Sequence, residues 1–521
     1  MANLVPSVPI YRGYTHAEVG LVGKTTFSTA VGNWCREHLV EKEFVPSGKR
    51  WNKVLHCVVM EHAHWVMKKM YCKYNDKTGR LHVPIGFADD IQKVLEDYGC
   101  EVRNIKLTDY PLRRIRVKMN AGMSDRPWQV KLIEQCSDPT PGIKGLAMQT
   151  GKGKTYSATK AWVNLGYAGI VIVEGLTDQW IESITKQTDI TTDELYKIEG
   201  FNSLAKLAEH PEYKPAIFVA SHSTMRIFSQ GEKDYDLLPW TYPEFLREYG
   251  IGVKIVDECH LRFHANTMMD LQSNVPHNLY CSATFTQNDR MAREIFNKVY
   301  PDNIRYGMSS YDRYVSAYVY HYRGEVQEKF CSRQKGYMHA LYEKQVMRSE
   351  QKFNYHIHQL FEPIIAQHFL NRRQPGAGHK MLIICSTIEF IAKVVKRLRT
   401  IYPEVKIDQY IGGTDRSVLK NNDIIVSNAS KSGTGLDMPG LITLFSSVSV
   451  QSVPLVEQVF GRLRRADGIE MHYVDMCDDN IERHVAHAVE RCHVLKKLAS
   501  HYYEFRGMND TVGYEYTPTS R

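Results

Sequence analysis

The chain has 521 residues, 43% hydrophobic and 24% charged, a globular composition too long for one ordinary core, so about two to four domains are expected. Its net charge of +8, from 66 basic and 58 acidic side chains, permits a polyanionic partner without demanding one. No run of about 18 apolar residues occurs, which argues against a membrane-spanning helix, and the eleven cysteines form no CxxC pair, which argues against a zinc site or disulfide framework.

The opening stretch MANLVPSVPIYRGYTHAEVG lacks the charged-then-apolar layout of a signal peptide, so a reducing, cytoplasmic setting is expected. Residues 1–115 mix short apolar stretches with basic and turn residues. Within them, YNDKTGRLHVPIGFADDIQKVLEDYGCEVRNI reads as strand, turn, strand, amphipathic helix, strand. This zone is expected to be a small α+β domain that binds DNA.

Over 116–300 the pattern becomes apolar strands alternating with helices: IKGLAMQT, GIVIVEG, AIFVASH, VKIVDECH and LYCSATF. A second such series over 380–507 contains KMLIICST, VKIDQYIGG, DIIVSNAS, LITLFSS and MHYVDM. Near-continuous apolar strands separated by helices indicate parallel sheets covered on both faces. Between the series, 301–379 reads as a connection: an alternating strand, RYVSAYVYHY, then a helical run from about 350 to 370. Tyr318, Tyr320 and Tyr322 share one face of that strand and are expected to pack on the helical run rather than stack on bases. The stretch IERHVAHAVERCHVLKKLASHYYEF reads as a final helix, and 508–521 as a tail.

The loop MQTGKGKT at 148–155 lies between a strand and a helix, the context a phosphate-binding loop requires. Thr150, Gly151, Lys152 and Gly153 can turn backbone N–H groups toward phosphate oxygens. Lys154 suits the β- and γ-phosphates, and Thr155 offers a hydroxyl to Mg²⁺ at a helix N-terminus. Met148 stands where the general pattern has glycine. Downstream, VKIVDECH delivers Asp257 and Glu258 to a strand end. Asp257 is expected to hold Mg²⁺, and Glu258 to orient and deprotonate a water. Gln458, Gly461, Arg462 and Arg465 lie in EQVFGRLRRADG, with the arginines at i and i+3 on one helical face. They are expected to meet the γ-phosphate from the second domain across a cleft. A phosphate loop, paired carboxylates and distant arginines together point to ATP hydrolysis.

These motifs, in this order, resemble superfamily 2 helicases and translocases. RPWQ looks like the adenine-reading element, with Arg126 and Gln129 at the nucleotide. MQTGKGKT resembles motif I, VIVEGLTDQW motif Ia, DECH motif II, LIICSTIEF motif IV and SKSGTGLDMPGL motif V, while QVFGRLRR matches motif VI at every fixed position. The resemblance implies that Ser282, Ala283 and Thr284 (SAT, motif III) couple hydrolysis to movement. It also implies that Thr434, Gly435 and Asp437 link the strand contact to the nucleotide. Glu174 departs from the family's usual proline. The DECH form, the DQW ending and the SGTGLD form resemble DNA-acting members, and the layout of residues 70–105 resembles phage UvsW-type helicases. Together these imply a phage-encoded monomer in the host cytoplasm that remodels single-stranded and branched DNA, beside replication or recombination partners. The implied fold is α/β, two tandem RecA-like parallel-sheet domains with a small N-terminal α+β domain, using ATP and Mg²⁺. The rival readings are a DExH RNA helicase, the motor subunit of a restriction system, and a binding protein that uses ATP only to switch shape.

Overall fold

The computed structural model describes residues 5–506 except 22, 47–48, 53–56, 61–62, 108, 149–150, 176, 284, 288, 308–312, 334–335, 375, 416, 429–437, 450–452 and 464–467; the side chains of 43–65, 233, 332–336, 453–455 and 458 are also outside the description. It divides into two compact units, residues 1–148 with 153–308, and residues 149–152 with 309–521.

The first unit opens with a five-stranded mixed sheet in the order Lys73–Asn75, Arg80–Pro84, His16–Gly20, Ser7–Arg12, Glu101–Lys106. Only the last pair is parallel. The turn between its first two strands closes because Asn75 Oδ1 accepts from Lys77 N at 3.1 Å and Thr78 N at 3.3 Å, while Gly79 takes φ +64. Helix Ala88–Asp97 buries Ala88, Ile91 and Leu95 at helical spacing and carries Asp89 and Asp90 in its first turn, where carboxylates complement the helix dipole. Ala17, Val19, Leu81 and Val83 point from one face of the sheet into an apolar core shared with Phe263, Phe296 and Tyr300 of the following domain. The N-terminal sheet therefore has no separate core.

The next sheet has seven strands, all parallel, ordered Leu195–Ile198, Ile217–Ser221, Gly169–Val173, Val253–Asp257, His277–Ser282, Gly142–Ala147, Arg305–Gly307. Every residue of GIVIV is buried, which is why the strand shows no alternation in sequence. The second unit repeats the architecture: seven parallel strands ordered Ile407–Tyr410, Ile424–Asn428, Lys380–Cys385, Leu441–Ser446, Met471–Asp478, Val315–Tyr322, His501–Arg506. The chain thus has two tandem RecA-like sheets and a small N-terminal mixed-sheet domain. Among the described residues no helix is long and apolar enough to cross a membrane.

Part of the segment between the two strand series belongs to the second sheet, because Val315–Tyr322 lies between its last two partners. Tyr320 meets His368 Nε2 at 2.8 Å and Tyr322 meets the Tyr342 hydroxyl at 2.8 Å. Those tyrosines pack against the helical segments, as expected. The helical run from Glu350 takes wider π turns at His356–Phe361 and Ala366–Leu370, on either side of Pro363, which has no N–H for the ladder. One expectation is corrected. The final helix stops at Leu498, and HYYEFR is a strand, His501–Arg506, paired with Val315–Tyr322. Tyr503 and Phe505 gain aromatic neighbours on a pleated surface: Tyr503 stacks on Tyr318 at 4.9 Å and Phe505 on Tyr320 at 4.9 Å.

Candidate active site

Strands Gly142–Ala147 and Val253–Asp257 flank His277–Ser282 in register, so the loop after the first, the carboxylates at the end of the second and Ser282 share one edge of the first RecA-like sheet. This is the C-terminal edge, where ligands of open parallel sheets bind. Met148 is 1% exposed and its N–H donates to Ser282 O at 3.1 Å. A methionine fills the core there, and glycine would leave a void.

Gly151 and Gly153 adopt φ of +80 and +92. Gly153 caps helix Lys154–Leu165 in the left-handed region. The backbone angle favours glycine at 153, and a β-carbon there would collide with Gln129 Nε2 and displace that side-chain amide. Gln129 is 2% exposed, and its Oε1 accepts from Arg126 N at 2.9 Å, with Pro127 starting the helix. Asp125, just upstream, accepts from the Tyr156 hydroxyl at 2.8 Å and Lys160 at 2.6 Å. The RPWQ element is thereby fastened to the helix that leaves the loop.

Lys154 Nζ lies 2.9 Å from Asp257 Oδ1 and donates to Glu258 Oε1. Burial works against the charge on Lys154, but the two carboxylates outweigh it and push the ammonium well above the usual lysine range. Asp257 is held from its other oxygen by the Trp180 indole N–H at 2.9 Å. Glu258 has φ +47 and is the only described non-glycine residue with a positive φ; such strain persists where the surroundings over-determine the backbone. Its Oε2 makes no hydrogen bond, lying 3.5 Å from His260 Nδ1, which has Ser282 Oγ as a closer partner at 2.8 Å. Burial lowers the His260 pKa, keeping the imidazole neutral. A lysine, two carboxylates and glycine-shaped space at one sheet edge can hold a phosphate, a hard divalent cation and a polarised water.

A scan against protein-family models and a search of curated proteins find no match to this sequence. Among solved structures the chain is similar to S. cerevisiae Dbp5 bound to RNA and ADP BeF3, at 10% identity over 75% of this chain and 91% of that one, TM-score 0.49. It is also similar to the Pyrococcus furiosus Hef helicase domain, at 12% identity over 70% and 98%, TM-score 0.43. T4 UvsW aligns at 13% identity over 96% of this chain and 99% of that one, TM-score 0.33.

Of the residues singled out in the sequence, the structure brings together Gln129, Gly153, Lys154, Asp257, Glu258 and Ser282. Thr155 sits in the first turn of the helix after the loop, half-buried, and Ala283 follows the strand end. The Arg126 guanidinium lies 5.5 Å over the Trp128 ring. In the second unit Arg462 is half-buried just after helix Val453–Phe460, with its N–H on Val459 O at 3.1 Å. Thr150, Thr284, Thr434, Gly435, Asp437 and Arg465, and the side chain of Gln458, lie outside the described residues. Two contributors went unread in the sequence. Trp180 had a signal in the DQW ending, but its contact with Asp257 spans 77 residues. Glu174 forms an ion pair with Arg262 at 2.7 Å, a partner that a glutamate in place of proline makes available.

Proposed function

We propose that this chain is an ATP-dependent helicase or translocase of superfamily 2 that acts on DNA and remodels branched structures, with a phage origin implied by the UvsW-type resemblance. The observation that carries the reading is the Lys154–Asp257–Glu258 constellation beside a glycine-shaped loop, with strained Glu258 keeping one carboxylate oxygen free. The donor set suits Mg²⁺–ATP: a carboxylate and a hydroxyl for a hard cation, and backbone N–H groups for phosphate. Bound Mg²⁺ would neutralise charge on the phosphates, with Asp257 and Thr155 as its protein ligands.

Lys154 exchanges its carboxylate partners for phosphate oxygens when the nucleotide enters. Glu258, released from the ion pair, takes a proton from the attacking water as the water oxygen bonds to the γ-phosphorus. The bond from that phosphorus to the β–γ bridging oxygen breaks, giving ADP and phosphate. Gln129 orients the base, and Gln458, Arg462 and Arg465 contribute to catalysis from the second domain. His260 and Ser282 carry the state of Glu258 to the motif III strand. Grip on the polymer is mainly through phosphates, so it is insensitive to sequence and weakens with salt.

The test is ATPase stimulation by single-stranded DNA, branched DNA and RNA of equal length, scored beside unwinding and annealing. Greatest stimulation by branched DNA is expected. Stimulation by RNA alone would replace the DNA assignment with an RNA helicase. Absence of turnover with every polymer would overturn the motor reading.

A further inference from the structure

A cluster of His16, Glu18 and His82 lies outside the nucleotide site, on the N-terminal sheet. Glu18 and His82 are directly opposite in the register of two antiparallel strands, and His16 is two residues away on the same face. The other face of these strands is core, with Ala17, Val19, Leu81 and Val83 buried. The polar face lines a cavity of about 330 Å³ against residues 272–274 of the first RecA-like domain.

The hydrogen bonds determine which ring nitrogens keep a lone pair. His82 Nδ1 lies 2.8 Å from Leu271 O, a contact only an N–H can make, so Nε2 is unprotonated in the neutral ring. That Nε2 is buried and has no hydrogen-bond partner. His16 Nδ1 lies 3.3 Å from Thr15 Oγ1. The Thr15 hydroxyl is 2.6 Å from Ser273 O and 2.9 Å from Asp270 O, so its own hydrogen is already engaged and it accepts from His16 Nδ1–H. His16 Nε2 therefore also presents a lone pair, and it faces Glu18 Oε1 at 3.4 Å. Arg80 occupies the other Glu18 oxygen at 2.6 Å. Two acceptors facing each other repel unless a proton or a metal ion lies between them. The three ligand atoms all lie within 4.8 Å of one another.

We propose that His16, Glu18 and His82 form a binding site for a divalent transition metal, Zn²⁺ being the best fit, at the seam between the N-terminal sheet and the first RecA-like domain. Two imidazoles and one carboxylate, with a fourth position open to the cavity, are a zinc-type donor set and not one for Mg²⁺ or Ca²⁺. Tetrahedral bonds of about 2.0–2.1 Å put ligand atoms roughly 3.3 Å apart, so only side-chain adjustments of about 1 Å are required. The ring orientations are set by carbonyls and a hydroxyl on the far nitrogens, the outer-shell arrangement that metal-binding histidines use. The carbonyls that act directly on His82, and through Thr15 on His16, belong to Asp270, Leu271 and Ser273 of the RecA-like domain. Metal affinity therefore depends on the N-terminal sheet being docked.

The second group of potential ligands, His321, Cys477 and Asp479, is engaged differently. Its imidazole lies between two carboxylates, hydrogen-bonded through Nδ1 to Asp479 at 2.7 Å, with Nε2 only close to Glu504 at 3.1 Å and making no hydrogen bond. The experiment separates the two. The full chain, stripped with chelator, is titrated with Zn²⁺ against a chromogenic competitor, and with Co²⁺ while recording its absorption. Stoichiometric binding is expected, with cobalt d–d bands and no thiolate charge-transfer band. His16→Ala, Glu18→Gln and His82→Gln should each weaken Zn²⁺ binding by roughly 10–100-fold or more, and His321→Ala should not. Wild-type protein that binds neither metal stoichiometrically overturns the site and leaves a protonated His16–Glu18 pair. A thiolate band would assign the metal to Cys477 and overturn it equally. The wild-type spectrum decides even if a variant fails to fold.

Discussion

Trp180 donates its indole N–H to Asp257 Oδ2 at 2.9 Å and is itself 2% exposed, so the carboxylate proposed to hold Mg²⁺ is oriented by a fixed side chain from a neighbouring helix. Asp257 Oδ1, by contrast, faces Lys154 and the Glu258 N–H. Oδ2 is thus held by the indole, and Oδ1 is shared by the Lys154 ammonium and the Glu258 N–H.

Trp180→Phe keeps an aromatic ring, though a smaller one, and removes the donor. Outer-shell losses of this kind cost about 10–100-fold in metal affinity or activity. A raised Mg²⁺ requirement for ATP turnover is expected, with folding intact by circular dichroism. A variant indistinguishable from wild type across a Mg²⁺ titration would show that the indole contributes packing alone.

Lys154→Ala and Glu258→Gln should both abolish most ATPase activity but differ in the free protein. Losing Lys154 leaves two half-buried carboxylates facing each other, so that variant should melt earlier than wild type. Glu258→Gln removes one negative charge and keeps the Asp257–Lys154 pair, so its melting temperature should stay near wild type. Near-normal strand separation by Glu258→Gln would remove that residue from the water-activating role.

Gly153→Ala meets both a φ of +92 and the Gln129 amide. A destabilisation of about 1–3 kcal/mol is expected from the backbone, with loss of nucleotide binding because Gln129 must shift. Urea unfolding and fluorescent-nucleotide titration measure the two effects separately.

The second unit should be acid-sensitive. Burial lowers the pKa of His356 to about 4, and burial with nearby positive charge lowers His339 and His472 to about 3 each. In the unfolded chain these rings take up protons below about pH 6.5, while in the folded protein they stay neutral until about pH 3–4. The unfolded state therefore binds more protons in that window, and stability falls as pH drops through it. Each ring contributes a slope approaching ~1.4 kcal/mol per pH unit. His356 sits among Tyr322, Phe361 and Phe390. His356→Phe should flatten the fall in melting temperature between about pH 6.5 and pH 5, and an unchanged slope would exclude this ring as a source.

Arg491 and Asp475 form an ion pair at 2.6 Å with both side chains 0% exposed. Arg491→Met leaves a buried carboxylate without its cation and should cost about 3–5 kcal/mol in urea unfolding. The double variant Arg491→Met/Asp475→Leu should recover much of that loss, because the desolvation cost of the remaining charge disappears with it.

The amino-acid order alone determined nine of the ten internal strands of the two RecA-like sheets, because a strand buried on both faces is an unbroken apolar run between turn signals; the tenth, Val315–Tyr322, alternates and was read as part of a connection, while the edge strand Ile407–Tyr410 was read with the series. It also determined the loop at 148–155 and the carboxylates at Asp257 and Glu258, since local context suffices to place them on a strand–loop–helix and a strand end. Edge strands such as Leu195–Ile198 and Arg305–Gly307 were not legible: each is short and half-exposed, and its identity comes from a neighbour that supplies the hydrogen bonds. His501–Arg506 was misread for the same reason, as its partner lies some 185 residues upstream. Only the tertiary structure could put Trp180 on Asp257, the left-handed backbone at Glu258, or His16 and His82 around Glu18. Those arrangements follow from how strands align and domains dock, and a side chain's neighbours across a sheet or a seam are independent of its neighbours in the chain.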